Sequence, residues 1–291
     1  MENFLLTIVT CTFNRRDLLE VLFRSIVDQE QFGHSVKWLI IDDGSTDETG
    51  FLLHDLAERY PQCVDYLTIE NGGKHRALNR AMSLVDTDWF MVVDSDDCLI
   101  SGSLGIVLET IEKSGLDNVG MIAGLLRFKG SQKKKFSTPC NPCKFYDWVS
   151  LQGQFDFCPI FKTSVAKSIL YPETPGEKYM AESWKYEEIS KTHCTYFLNE
   201  ELVCAEYLAS GLSAKSKKIR ISSPVSAMYV YFGQYMSDRR LGLKVRGAVN
   251  FWRFYCHALL RKKQCDHLKK PSRVWFFPGF FVFLYDSILG W

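Results

Sequence analysis

Trp89-Phe90-Met91-Val92-Val93-Asp94-Ser95-Asp96-Asp97 decides the fold, because a short apolar run is followed at once by three carboxylates. The apolar part is short and contains two valines, which is typical of a buried strand. Carboxylates at the end of a buried strand repel one another and lose hydration. A hard divalent cation offsets that cost, since Mg²⁺ and similar ions prefer oxygen ligands and often bind one or two carboxylates together with substrate phosphates. The stretch predicts a metal site with a phosphorylated ligand. The alternative is a polar loop before a helix that Ser101 or Ser103 caps.

The sequence around this stretch alternates apolar strands with amphipathic helices. We predict strands at residues 5–11, 36–41, 64–69 and 89–93, and helices at 15–29, 74–85 and 102–113. A further helix, capped by Ser45 or Thr46, ends at Tyr60. Such a βαβ series indicates an α/β fold with a mainly parallel, doubly wound sheet. Ligands gather at the carboxyl ends of the strands in these sheets.

The later sequence is less periodic. We predict strands at 119–128 and 155–161, a helix at 180–191 and a pair of strands within 196–207, and the chain becomes helical beyond Gly211-Leu212-Ser213. We expect one domain at residues 1–213, divided into halves at 1–128 and 129–213, and a helical C-terminal region at 214–291.

Charge is distributed unevenly between these parts. Residues 1–213 carry 20 Lys and Arg against 31 Asp and Glu, whereas residues 214–291 carry 15 against three. Residues 274–285 are apolar and aromatic but too short to span a bilayer, which needs about 20 residues. Basic residues beside aromatic ones suit an anionic membrane surface. The alternatives are helices packed on the domain or a homo-oligomer contact, and the acidic first part argues against nucleic acid.

The ten cysteines suggest reduced thiols, because the chain opens without the basic start of a secretory leader. The close pair Cys140 and Cys143 is interpreted as a loop. A zinc site would need further ligands, such as Cys158 or His193 with Cys194.

Two further polar motifs follow predicted strands. In Asp42-Asp43-Gly44 a carboxylate can accept a hydrogen bond from a base imide or a ribose hydroxyl, and the alternative is a turn in which the aspartates bond their own backbone. Asn71-Gly72-Gly73-Lys74-His75-Arg76 opens a helix, and its backbone N–H groups and cations suit a phosphate. This stretch is neither a P-loop nor GxGxxG.

Taken in order, these motifs resemble family 2 glycosyltransferases of the GT-A fold. The likeness is strong over residues 4–128 and weaker as far as Gly211-Leu212-Ser213. It depends on the order and spacing of the following segments: Thr10 to Arg15, Ile41 to Asp47, Asn71 to Lys74, Ala77-Leu78-Asn79 and Asp94 to Asp97.

The resemblance implies a role for each motif in binding a UDP-sugar and Mn²⁺ or Mg²⁺. The implied cofactor-binding residues are Thr10, Thr12 and Asn14 under the base, Asp43 on the uracil imide, Gly73 and Lys74 beside the nucleotide, Asp96 on the ribose and Asp94 in the acidic group. Asp97 is implied as the metal ligand, with Asp96 beside it. By the same resemblance residues 1–128 form the nucleotide-sugar half and residues 129–213 the acceptor half.

The family inverts the anomeric centre by a single displacement, so a base must deprotonate the acceptor hydroxyl. We expect Glu182 to be this catalytic residue, with Glu187, Glu188 and Asp156 as rivals. The chain lacks the Gln-x-x-Arg-Trp segment and transmembrane helices of processive synthases, which favours transfer of a single sugar.

We therefore expect an inverting, metal-dependent glycosyltransferase. Its acceptor would be a lipid-linked glycan or polysaccharide at the cytoplasmic membrane face, where the protein would be peripherally bound. The alternatives are an inactive scaffold that keeps the fold, and a sugar nucleotidyltransferase. A sugar nucleotidyltransferase should carry a glycine-rich basic loop after the first strand, where this chain has Cys11-Thr12-Phe13-Asn14.

Overall fold

The computed structural model describes residues 4–113, 115–128, 135–136, 140–145, 147–148, 156–205, 216–237, 241–265 and 267–289. Within these residues an eight-stranded sheet carries helices on both faces, and a helical region follows it. The strands are β1 Leu6–Thr12, β2 Val36–Asp42, β3 Val64–Thr68, β4 Trp89–Val92, β5 Cys98–Leu99, β6 Val119–Phe128, β7 Phe157–Lys162 and β8 Cys194–Ala205. The helices are α1 Arg16–Val27, α2 Thr49–Arg59, α3 Lys74–Leu84, α4 Ser103–Ile111, α5 Thr163–Lys167, α6 Ser183–Ser190, α7 Ser216–Ser222, α8 Pro224–Met236, α9 Leu241–Leu260 and α10 Phe276–Ile288, with a 3₁₀ turn at Arg273–Trp275.

The first half of the sheet is parallel, as the βαβ pattern predicts. The strand order is β3-β2-β1-β4-β7-β6-β8-β5, and β3, β2, β1 and β4 all run in one direction. The order reverses at β1, because the chain places β2 and β3 on one side of it and β4 on the other. This switch point is where polar loops from different strands meet.

The second half of the sheet mixes directions. β7 runs antiparallel to β4 and β6, β8 is parallel to β6, and the short β5 is antiparallel to β8. The predicted pair of strands within 196–207 is wrong, because β8 is one continuous strand. Asn199 and Glu200 of this strand fall at a register shift between Gly124 and Leu125 of β6. A bulge of this kind takes up extra residues without ending the strand.

Apolar side chains cover both faces of the sheet. Helix α1 buries Leu19, Leu22, Phe23 and Ile26 at the predicted spacing, and α2 and α4 pack on the same face. Burial of each such side chain contributes about 2 kcal/mol. Helices α3, α5 and α6 cover the other face, so the sheet is doubly wound.

The C-terminal helices have their own apolar core. Helix α10 packs closely on α9 at Gly279, where a Cβ atom would lie 2.6 Å from the Cβ of Trp252 and 2.7 Å from the carbonyl oxygen of Val249. None of the described helices combines the length and the hydropathy that a bilayer-spanning segment needs. The expected boundary at residue 213 lies outside the described residues.

Candidate functional site

The loops that follow β1, β2 and β4 leave the sheet at the same edge. β1 pairs with β2 as far as Thr12 and Asp42, and with β4 as far as Val9 and Val92. Because the three strands are parallel, residues after Thr12, Asp42 and Val92 converge there. The predicted motifs at Asn14, Asp43 and Asp94–Asp97 are therefore brought together, as the sequence implied.

The Asp43 carboxylate holds the glycine-rich loop that precedes α3. Its two oxygens accept the N–H groups of Gly72 at 2.7 Å and Gly73 at 2.8 Å, and the Asn71 amide donates to the Asp43 carbonyl at 2.8 Å. These two N–H groups, expected to face a phosphate, are directed at Asp43 instead. Gly73 has a φ of 95°, and the Lys178 carbonyl oxygen lies 1.9 Å from the place of a Cβ, so a side chain would not fit there. A carboxylate oxygen can accept more than one hydrogen bond, so the expected contact of Asp43 with a base stays a prediction.

The loops after β1 and β2 are tied together by Asn14. This residue has a φ of 52°, its side-chain oxygen accepts the Thr46 N–H at 2.7 Å, and its own N–H donates to the Ser45 hydroxyl at 2.8 Å. Asp42 accepts the Ser45 N–H at 2.9 Å, which is the turn expected for one of the two aspartates.

The prediction that Ser45 or Thr46 caps helix α2 is wrong, because both residues form hydrogen bonds within the turn. Since Ser45 and Thr46 serve the turn, the carboxylate of Asp47 accepts the Thr49 N–H at 3.0 Å at the start of the helix. Helix α4 likewise starts after Gly102 without a side-chain cap, so neither serine of the alternative interpretation caps it.

The two threonines of β1 occupy different environments. Thr10 is fully buried within the sheet, and its hydroxyl accepts the indole N–H of Trp38 at 3.0 Å, so this side chain does not reach the edge. Thr12 is the last residue of β1, and its carbonyl accepts the Asp43 N–H at 2.8 Å. Among the described residues its buried hydroxyl makes no hydrogen bond.

Lys74 joins the two halves of the site. As the first residue of α3, it points its ammonium group at the carboxylates of Asp94, after β4, and Glu182, before α6, the second at 2.5 Å. Burial alone would lower the pKa of Lys74, but the two carboxylates raise it well above its usual value. The other oxygen of Glu182 accepts the Tyr186 hydroxyl at 2.9 Å. Glu182 therefore lies beside the predicted donor-binding residues.

Asp94, Asp96 and Asp97 form what we call the acidic cluster. Arg15 lies 2.8 Å from a carboxylate oxygen of Asp96 and donates to the Ser95 hydroxyl at 3.3 Å. Burial, and then the charges of Asp94 and Asp96, raise the pKa of Asp97 to about 7, against the opposing effect of Lys74 and Arg15. Two cations thus leave the three carboxylates incompletely neutralised.

This imbalance matches the chemistry of a hard divalent cation. Asp96 and Asp97 offer oxygen donors, and Mg²⁺ is commonly bound by one or two carboxylates together with substrate phosphates. Among the described residues no three His, Cys, Asp or Glu side chains form a ready metal site. Phosphate oxygens would have to complete the coordination.

The rival candidates for the base lie elsewhere. Glu188 pairs with Lys191 along α6 at 2.5 Å, and Asp156 is exposed just before β7. Glu187 is buried, and its carboxylate oxygen lies 3.1 Å from the place of a Cβ on Gly233 in α8. Among the described contacts, Lys74 pairs with Glu182 and with none of these three.

Sequence reasoning missed three members of the site. Arg15 follows the first strand, where its charge could have been matched with the acidic residues after β4. Tyr186 lies one helical turn after Glu182, and that spacing allows the hydrogen bond between their side chains. Lys178, whose ammonium donates to the Asn71 side chain at 2.5 Å, had no local signal, since the two residues are far apart in sequence.

The sequence also matches a known protein family. The sequence model of the family described as Glycosyl transferase family 2 matches residues 7–167, more than half of the chain. The matched range includes β1 to α5 and the acidic cluster, and it ends before Glu182.

Individual relatives match over shorter ranges. A teichoic acid poly(glycerol phosphate) polymerase of Staphylococcus epidermidis is 29% identical over 132 residues, which is 45% of this chain and 17% of the polymerase. A GalNAc(5)-diNAcBac-PP-undecaprenol beta-1,3-glucosyltransferase of Campylobacter jejuni is 28% identical over 177 residues, which is 58% of this chain and 55% of that enzyme. The matched segments thus span between about a sixth and just over half of these relatives.

Solved structures resemble the whole chain. A crystallised part of S. aureus TarS has a TM-score of 0.63 at 15% identity, covering 97% of this chain and 80% of its own. A mannosyltransferase of Pyrobaculum calidifontis, solved with GDP-Man and Mn²⁺, has a TM-score of 0.60 at 16% identity, covering 98% and 88%. At these identities the likeness shows the fold alone, and the predicted GT-A fold class is confirmed.

Proposed function

The chain belongs to glycosyl transferase family 2, and we propose that it transfers a sugar from a UDP-sugar to a lipid-linked or polysaccharide acceptor. The observation that carries this proposal is the placement of Lys74 between Asp94 and Glu182. That contact brings the acidic cluster of the first half and a carboxylate of the second half to one edge of the sheet. The acceptor class takes support from the names of the two relatives, which refer to a teichoic acid and to an undecaprenol-linked glycan.

The choice of a UDP-sugar rests on the predicted base site. Asp43 and Thr12 lie side by side, Asn14 orders the loop above them, and Gly73 and Lys74 open α3. TarS, which shares this fold, has been crystallised with UDP and with UDP-GlcNAc, which supports a uridine donor, whereas the mannosyltransferase of the same fold was solved with GDP-Man.

Asp97 and Asp96 are the residues that would hold Mn²⁺ or Mg²⁺. The ion would neutralise charge on the diphosphate as UDP leaves. Arg15 holds the carboxylate of Asp96 itself, and Lys74 holds that of the neighbouring Asp94, which keeps the oxygen atoms at the sheet edge.

Glu182 is the proposed general base. The acceptor hydroxyl attacks the anomeric carbon, the bond from that carbon to the diphosphate oxygen breaks, and the hydroxyl proton passes to Glu182. Lys74 and Tyr186 orient the carboxylate and leave it further lone pairs for this proton. A single displacement inverts the anomeric configuration.

A product assay tests the function. The protein is incubated with Mn²⁺, a panel of nucleotide-sugars and membrane extract as the source of acceptor. Release of UDP supports the proposal. Release of pyrophosphate in a parallel incubation with UTP and a panel of sugar 1-phosphates would identify a sugar nucleotidyltransferase. No turnover across the panel would favour an inactive scaffold.

We assign residues 1–213 to catalysis and residues 214–291 to contact with an anionic membrane surface at the cytoplasmic face. Helix α10 turns Phe276, Gly279 and Phe283 toward α9, while Phe277, Phe281 and other apolar side chains stay exposed. Lys270 and Arg273 line a groove of about 380 Å³ next to Phe277. An apolar stripe flanked by cations suits the interface of an anionic bilayer.

Vesicle sedimentation tests this surface. The double variant Lys270→Gln/Arg273→Gln should lose binding to vesicles containing phosphatidylglycerol, because each cation near such a surface contributes about 1 kcal/mol. The matched control Lys218→Gln/Arg246→Gln removes the same charge from exposed helical positions. Equal losses of vesicle binding in the two double variants would contradict a specific membrane-binding face. Burial of Phe277 in a stable dimer would favour the homo-oligomer alternative.

A further inference from the structure

Residues 171–182 form an irregular segment between α5 and α6, which we call the strap. Its inner side is bonded to α3. The side chain of Asn79 exchanges two hydrogen bonds with the backbone of Tyr171, both 2.9 Å long, and Arg76 donates to the Thr174 carbonyl at 2.8 Å. The strap is therefore held along the helix that carries Lys74.

The strap also touches the glycine-rich loop. The Lys178 carbonyl occupies the space that a side chain on Gly73 would need, and the Lys178 ammonium donates to Asn71 at 2.5 Å. Four residues later the strap ends at Glu182, the proposed base, in contact with Lys74. Its position thus sets the distance between the base and the donor-binding residues.

The outer side of the strap is anchored by Glu177, which is 1% exposed. Its two carboxylate oxygens accept the N–H groups of Val225 at 2.9 Å and Ser226 at 2.7 Å, in the first turn of α8. Ser223, at the N-cap position, makes no side-chain cap bond, so Glu177 takes that role from outside the helix. The partial positive charge of the helix N-terminus compensates the buried carboxylate. Lys263 adds a bond to the Pro175 carbonyl at 2.9 Å.

We propose that Glu177 is a positioning residue for sugar transfer, which fixes the strap to α8 and so holds Glu182 against Lys74. The proposal rests on the proposed function, in which Glu182 is the base. It makes the C-terminal helices a structural support of the transfer site as well as a contact surface. Displacement of a reacting group by about 1 Å can reduce the rate about 100-fold.

The variant Glu177→Gln tests the proposal in the full chain. An amide keeps the shape but loses the charge and turns an NH₂ group toward a helix N–H. We expect kcat to fall about 10- to 100-fold, with UDP affinity within twofold of the parent chain. Glu177→Asp, which keeps the charge, should recover part of kcat.

Asp286→Asn is the matched control for general loosening, because Asp286 is buried in the same helical region and does not touch the strap. It should leave kcat within twofold. Equal losses of kcat in both variants, or an unchanged kcat in Glu177→Gln, would overturn the positioning role.

Hydrogen exchange separates this proposal from the proposed function. Glu177→Gln should speed amide exchange in both residues 171–182 and residues 71–76. Faster exchange at both segments in a chain without transferase activity would support the anchoring of the strap by Glu177 and contradict the proposed function. Unchanged exchange at residues 71–76 would overturn the positioning role even in an active enzyme.

Discussion

Two groups of charged side chains differ in how fully their charges are paired. In the acidic cluster, burial and the neighbouring carboxylates raise the pKa of Asp97 to about 7. In the C-terminal helices Asp286 is 1% exposed, and burial alone would raise its pKa, yet hydrogen bonds from Arg253 and His257 lower it. Arg253 binds both oxygens of Asp286, at 2.6 and 2.8 Å, and His257 lies 3.0 Å away.

This difference separates a structural role from a binding role. Fully paired buried charges fix one arrangement of the helices that carry them. Carboxylates that lack enough cations are expected where a ligand supplies the missing charge. The acidic cluster therefore fits a ligand site, whereas Asp286 fits an internal tie between α9 and α10.

The sharpest test inside the transfer site is Glu182→Gln. Removal of a general base should lower kcat about 100- to 10,000-fold. Binding of UDP should be nearly unchanged, because the amide keeps the size of the side chain. The measurement is steady-state UDP release beside calorimetric titration of UDP, and an unchanged kcat would remove Glu182 as the base.

A second variant, Asp97→Ala, removes the carboxylate with the raised pKa. We expect turnover with Mn²⁺ to fall on the order of 100- to 1000-fold, as for loss of other groups that stabilise transition-state charge. The melting temperature should not fall, since a repulsive charge is lost. Near-normal turnover would place the cation elsewhere.

For Asp286→Asn we expect the reverse of Asp97→Ala, namely a loss of stability with little change in kcat. Arg253 would lose its buried partner, which costs about 3–5 kcal/mol, while kcat of the folded protein should stay within twofold. Thermal unfolding followed by circular dichroism checks the stability. A variant that melts like the parent chain would contradict the structural role of Asp286.

Lys185 extends the comparison to a buried charge that lies among carbonyls. It is 1% exposed, its ammonium donates to the carbonyls of Ala166 and Ile169, and burial lowers its pKa from 10.5 to about 7. Between these two values the unfolded chain binds a proton at Lys185 that the folded chain lacks, so the contribution of Lys185 to stability should rise with pH across that range. Lys185→Met should remove this rise in urea titrations at pH 7 and pH 9. The same slope in both proteins would contradict the lowered pKa.

The first half of the fold was predictable from local pattern. The apolar runs at β1, β2 and β4 and the spacing of Leu19, Leu22 and Phe23 in α1 correspond to the observed elements. The second half was less predictable. Strand β7 lies between β4 and β6, and β8 lies between β6 and β5, so their positions depend on contacts between residues distant in sequence. At the register shift between Gly124 and Leu125 of β6, strand β8 takes up residues 199–200 and continues, where a pair of strands was predicted.

The site residues were predictable where a motif directly follows a strand. They were not predictable where contacts between distant segments determine which group a side chain bonds. Asp94, Asp96 and Asp97 do share the edge with Lys74, and their roles as ligands stay predictions. Thr10 shows a limit, because its buried hydroxyl serves Trp38 across the sheet. The engagement of Asp43 with the glycine-rich loop was equally hidden, since it joins residues from two separate loops.

Calorimetric titration of UDP, with and without Mn²⁺, tests the central claim that the acidic cluster binds a cation together with a diphosphate. We predict at least about tenfold tighter binding with Mn²⁺, a difference of about 1.4 kcal/mol. This gain should vanish in Asp96→Asn/Asp97→Asn. Equal UDP affinity with and without the ion, or a gain that survives in the double variant, would contradict the claim.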